Sequence, residues 1–97
     1  IGGSGVISVW SNVAPRKVHD LCEAFWNGDM ETAMKLQREA LPLVDALFSE
    51  VNPIPVKAAM NAMGLEVGPL RAPLCEMSDA NKAKMIQVMK DYGIKLA

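Results

Sequence analysis

The sequence predicts a mainly α chain, in which four helices arranged like a four-helix bundle follow one short strand. Three observations carry this reading. Apolar side chains recur at alternating steps of three and four through most of the chain, as on the buried face of a helix. Clusters of proline, glycine and asparagine interrupt that pattern at Asn27-Gly28, at Asn52-Pro53-Ile54-Pro55 and at Gly68-Pro69. Only Val6 to Trp10 is β-branched and apolar at nearly every position, the pattern of a strand covered on both faces in a parallel sheet.

After that strand, Ser11-Asn12 can supply a helix cap and Pro15 suits a first helical turn, where its missing N–H is no loss. Val18, Leu21, Cys22 and Phe25 then fall on one face, and Asn27-Gly28 ends the helix. Asp29 can cap a second helix whose stripe is Ala33, Leu36, Ala40, Leu43 and Leu47. A second stripe, Met34, Leu41, Val44 and Phe48, runs beside it and predicts a helix packed on more than one side. Pro42 lies inside this pattern and predicts a bend near Arg38 or Glu39, because it removes a backbone donor.

Asn52-Pro53-Ile54-Pro55 forces a turn, since each proline restricts the residue before it. Val56 to Met63 reads as a short helix stopped by Gly64, and Leu65 to Pro73 as an irregular connection. Ser78 or Asp79 caps the last helix, which turns Met85, Val88, Met89 and Tyr92 to the core and ends at Gly93.

Ninety-seven residues suit one small domain that buries roughly two thirds of its unfolded surface. With 51% of residues apolar, part of the surface expects a partner. A formal charge of −1 gives no field that would hold nucleic acid or an anionic membrane. No apolar run approaches the roughly 20 residues of a membrane span, and Gly2 to Val9 is too short and glycine-rich for a signal-peptide core. Cys22 and Cys75, far apart and outside any CxxC, read as reduced thiols of a cytoplasmic protein.

Few residues invite a chemical reading. Gly2-Gly3-Ser4-Gly5 could cradle an anion, but it lacks the lysine and hydroxyl of a P-loop and precedes a strand, so a tight turn is preferred. His19, Asp20 and Glu23 share a helix, yet a third and fourth metal ligand have no source, and a solvated face is the better reading. Cys22 falls on the apolar stripe as a core residue. Met60, Met63 and Met77 could line an adaptable groove, although core filling explains them more simply.

Read together, Gly2-Gly3-Ser4-Gly5 leading into Val6-Ile7-Ser8-Val9, then Asn12-Val13-Ala14-Pro15-Arg16, Asn52-Pro53-Ile54-Pro55-Val56-Lys57 and Leu70-Arg71-Ala72-Pro73-Leu74 resemble the C-terminal segment of the dihydrodipicolinate synthase family of pyruvate-dependent class I aldolases. The chain also begins at Ile1 rather than methionine, which fits the tail of a larger enzyme. The resemblance implies the last β/α unit of a (β/α)8 TIM barrel over residues 1–28 and the barrel's C-terminal three-helix extension over 29–97. It implies a parent lyase that condenses pyruvate with aspartate semialdehyde in lysine biosynthesis through a lysine Schiff base, with no cofactor or metal.

By motif position Ile7 lines the pyruvate pocket of such an enzyme; in the isolated chain it is expected as a buried β-branched residue. No residue here corresponds to the Schiff-base lysine. Lys95, in Gly93-Ile94-Lys95, mimics its context but lies at a chain end, where no desolvated pocket can hold an amine unprotonated. The resemblance implies that Lys57, within Asn52-Pro53-Ile54-Pro55-Val56-Lys57, has a structural role in shaping the join to the C-terminal helices. The chain alone is therefore expected to be inactive, with a homo-oligomer or the missing N-terminal barrel segment as its partner. Two alternatives are a stand-alone helical module for self-association or partner binding, and a segment of a related aldolase such as N-acetylneuraminate lyase.

Overall fold

In a computed structural model, which describes residues 2–97, a 3-10 turn over Trp10–Asn12 leads into four helices: α1 (Pro15–Trp26), α2 (Met30–Leu47), α3 (Ile54–Ala62) and α4 (Asp79–Asp91). The strand expected over Val6 to Trp10 does not form, and there is none among the described residues. A parallel strand exists only through hydrogen bonds to a neighbouring strand. No second segment lies alongside this one, so Val9 and Trp10 turn into the 3-10 helix instead.

Ser11 and Asn12 do not cap α1, whose N-cap is Ala14 with no side-chain bond. They brace the preceding turn: Ser11 Oγ donates to the Ser8 carbonyl at 2.8 Å and Asn12 Nδ2 to that of Val9 at 3.0 Å. Pro15 starts α1 as the spacing predicts. The α1 stripe is only partly covered: Val18 is buried, Leu21 and Cys22 are half-buried, and Phe25 is exposed.

Asp29 caps α2, its Oδ1 accepting from the Thr32 N–H at 3.1 Å. The hydrogen bonds from Thr32 hold the Asp29 carboxyl below its ordinary range. α2 is the central helix, touching α1, α3 and α4, and it continues through Pro42 to Leu47. The first stripe is buried at Ala33, Ala40, Leu43 and Leu47 and half-buried at Leu36, whereas in the second Val44 packs half-buried against the core and Met34, Leu41 and Phe48 face outward. The three helices and the 3-10 turn that touch α2 cover one broad side and leave most of the second stripe open.

α3 begins at Ile54, two residues before the expected Val56. Pro55 disfavours continuing a helix but not starting one, because first-turn N–H groups have no helical partner to lose. Gly64 ends it at φ +80°, with room for a Cβ only 3.0 Å from the Ala97 Cβ, and the Ala97 N–H donates to the Ala62 carbonyl at 2.9 Å. The irregular connection over 65–73 is pinned by Lys57 Nζ donating to the Pro69 carbonyl at 2.6 Å and Asn61 Nδ2 donating to that of Gly68 at 3.1 Å.

Ser78 caps α4, its Oγ accepting from the Asn81 N–H at 3.4 Å. Met85 and Met89 are buried, with Val88 and Tyr92 half-buried beside them. The centre of the core is thus Leu43, Leu47, Ala59, Met85 and Met89, closed above by Trp10 and Val13. Each large side chain there contributes about 1.5–3 kcal/mol by leaving water.

Candidate functional site

Ile7 is fully exposed and Val6 is 64% exposed, contrary to the burial expected for a β-branched run. Both belong to the segment before the 3-10 turn, which runs over the outer side of α1 without a ladder partner. Between this segment and α1 lies an open apolar groove of about 300 Å³, lined by Val6, Trp10, Val18, Leu21, Cys22 and Phe25. Trp26 continues it and is 55% exposed, its ring meeting Phe25 edge-on with centroids 5.8 Å apart. Cys22, expected in the core, sits half-buried in this wall because nothing covers the outer half of the α1 stripe.

This face is unlike a finished surface. Large apolar side chains in contact on one side of a small domain mark a place where another surface packs. The chain exposes 6533 Å², against about 5,400 Å² for an ordinary monomer of its mass. The exposed residues of the second α2 stripe add to that excess.

The other candidate residues do not assemble into a reactive centre. His19 Nδ1 and Asp20 Oδ1 are 3.4 Å apart on the exposed side of α1, and among the described residues no three of His, Cys, Asp or Glu are grouped to hold a metal ion. The glycines of residues 2–5 bend the chain in open space, with no cavity that a Cβ would fill. Met77 is buried and Met60 and Met63 pack against the core, so the methionines fill space rather than line a groove. Lys95 is exposed after α4, and Lys57 is engaged with the 65–73 connection. No described helix is long and apolar enough to cross a membrane.

Two polar features escape the sequence pattern. Glu50, between α2 and α3, accepts from the Ser78 N–H at 3.1 Å, from Ser78 Oγ at 2.7 Å and from Asn81 Nδ2 at 2.8 Å. These bonds, led by the Ser78 and Asn81 side chains, hold its carboxyl below the ordinary range. Residues 28 and 31 positions apart leave no local spacing by which to find such a clamp. The second feature is two buried polar atoms, Trp10 Nε1 and Tyr92 Oη, neither with a partner in hydrogen-bonding geometry.

Comparison with known proteins gives the surrounding frame. The model of the dihydrodipicolinate synthetase family matches residues 1–92. A 4-hydroxy-tetrahydrodipicolinate synthase of Lachnoclostridium phytofermentans is 55% identical over 94 residues, which are 97% of this chain and 32% of that protein. Among solved structures, the dihydrodipicolinate synthase of Thermotoga maritima superposes with a TM-score of 0.91 at 46% identity, over 95% of this chain and 31% of its own. That of Aquifex aeolicus gives 0.93 at 42% identity, over 98% and 32%. The chain therefore spans about a third of the length of the relatives it matches.

Proposed function

This chain belongs to the dihydrodipicolinate synthetase family, and from that we propose that it is the C-terminal part of a lyase condensing pyruvate with aspartate semialdehyde through a lysine Schiff base. Residues 1–28 supply the last strand and helix of the parent barrel, and 29–97 its C-terminal helical domain. The observation that carries the reading is the uncovered apolar face over residues 6–10 and α1, on a chain that matches only 32% of a synthase. In this reading Val6 to Trp10 becomes a strand once its neighbours are present, and Ile7 turns into the pyruvate pocket. The nucleophilic lysine, the proton-transferring groups and the carboxylate-binding hydroxyls come from the preceding barrel. The enzyme works in the cytoplasm as a homo-oligomer.

The chain alone does no chemistry. A barrel active site is built from loops at the ends of several strands, and one strand cannot supply them. The reading is tested by a graft in which residues 1–97 replace the matching third of the Lachnoclostridium phytofermentans synthase. The graft is expected to consume pyruvate and aspartate semialdehyde, and Ile7→Asp within it to raise KM for pyruvate by tenfold or more, about 1.4 kcal/mol. A well-folded graft without activity, or one indifferent to Ile7→Asp, would overturn the assignment.

A further inference from the structure

The segment that carries Ile7 changes character at one place. Residues 2–7 are exposed and, among the described residues, no hydrogen bond anchors them, whereas Trp10, Val13 and Ala14 are buried in the core. Between these two stretches sit Ser8 and Ser11, both half-buried and bonded to each other twice. Ser8 Oγ accepts from the Ser11 N–H at 3.0 Å, and Ser11 Oγ donates to the Ser8 carbonyl at 2.8 Å. The 3-10 turn closes without this pair, through backbone bonds from Asn12 to Val9 and from Val13 and Ala14 to Trp10. The Asn12 side chain reinforces it, Nδ2 donating to the Val9 carbonyl at 3.0 Å. The serine bonds reach one residue further toward the N-terminus and tie Ser8 through both its side chain and its carbonyl. Two bonds on one residue together offset the entropy of ordering its backbone.

We propose that Ser8 and Ser11 are positioning residues: their reciprocal bonds form a clip that fixes the peptide following Ile7 and so sets where Ile7 is presented. The peptide between Ile7 and Ser8 is planar, so once Ser8 is held the carbonyl and Cα of Ile7 are held with it. The clip is local, formed by two residues three positions apart, and it marks the boundary between the core-anchored turn and the exposed segment. It therefore exists before any further wall of a barrel meets Ile7. That Ile7 serves a pyruvate pocket rests on the function proposed above; the clip itself does not.

Two readouts test the clip, one in this chain and one in the graft described above. In the 97-residue chain, Ser11→Ala removes the hydroxyl donor and Ser8→Ala the hydroxyl acceptor. Each should lower the backbone amide order parameters of Ile7 and Ser8 while the amides of α1 to α4 keep theirs. Ser11→Thr, which retains a hydroxyl, should leave Ile7 and Ser8 as ordered as before. Unchanged order at Ile7 and Ser8 in both alanine variants, or equal loosening in Ser11→Thr, would overturn the clip. In the graft, Ser11→Ala should raise KM for pyruvate about threefold to tenfold, the worth of one ordinary hydrogen bond, with Tm unchanged. It should add nothing further to Ile7→Ala, because both changes act on the same contact. A KM unmoved by Ser11→Ala in a graft that responds to Ile7→Asp, or a full extra factor on top of Ile7→Ala, would overturn the positioning role. A graft that is inactive or indifferent to Ile7→Asp is instead a failure of the functional reading, and the order parameters of the isolated chain then decide the clip alone.

Discussion

Individual side chains divide into those that hold this chain together and those that wait on its exterior. Leu43 and Leu47 are wholly buried at the centre, and Leu43→Ala is expected to lower stability by about 2–5 kcal/mol in denaturant unfolding, through lost burial plus the cavity left behind. Ile7, fully exposed, should behave oppositely: Ile7→Ser in the isolated chain should change stability by less than about 0.5 kcal/mol. A large loss there would show that the residue is packed after all. Gly64 is the position where backbone conformation decides, because its φ of +80° is left-handed and a Cβ would press on Ala97. Gly64→Ala should cost about 1–2 kcal/mol in the same assay. The apolar stripes made Leu43, Leu47, Met85 and Met89 legible in the sequence, since helical spacing alone assigns them a common side. Ile7 is exposed where its β-branched run predicts burial, for the converse reason: such a run states a preference for enclosure but not what provides it. The unpartnered Trp10 Nε1 and Tyr92 Oη lie beyond any spacing rule, because only the tertiary fold buries them.

At the scale of elements, turn and cap chemistry was legible wherever it is local. Asp29 and Ser78 cap their helices as their types and positions predict. α3 starts two residues before the spacing predicts because Pro55 serves as a first-turn residue rather than a barrier. The link between the α2–α3 connection and the N-terminus of α4 is the Glu50 clamp, and it has a pH signature. The native carboxyl is depressed by its bonds to Ser78 and Asn81. The clamp therefore contributes stability above the carboxyl's unfolded-state pKa and loses it as pH falls through the lower native value. Thermal melts in acid should show a falling Tm across that window, and Glu50→Gln, which turns an acceptor-only group into one that also donates, should lower Tm at neutral pH and flatten the acid dependence. An unchanged acid profile in Glu50→Gln would remove the clamp from the account. The missing strand shows the limit of local reading most plainly. Val6 to Trp10 has strand composition, but strand formation depends on a neighbour rather than on the segment.

For the molecule as a whole, the radius of gyration of 14.3 Å exceeds the roughly 13 Å of a compact domain of about 100 residues, and the exposed area is likewise in excess. Both accord with an elongated molecule of 42 × 26 × 20 Å whose N-terminal segment and α1 leave large apolar side chains uncovered. In solution the isolated chain should associate as concentration rises, and Phe25→Ser with Trp26→Ser should weaken that association in sedimentation or light scattering without unfolding the helices. The helical bundle and the family were legible in the sequence because stripes and short motifs survive without the rest of the protein. The site was not, since in the function proposed above its other walls lie in the two thirds of the relatives' length that this chain does not span. As proposed above, this chain completes a pyruvate-condensing barrel and does not act alone. The most direct measurement adds it to the separately produced N-terminal part of the Lachnoclostridium phytofermentans synthase and follows consumption of pyruvate with aspartate semialdehyde. Activity in the mixture and in neither part alone is the predicted result. Turnover by the 97-residue chain by itself, or a stable complex of the two parts with no turnover, would contradict the account.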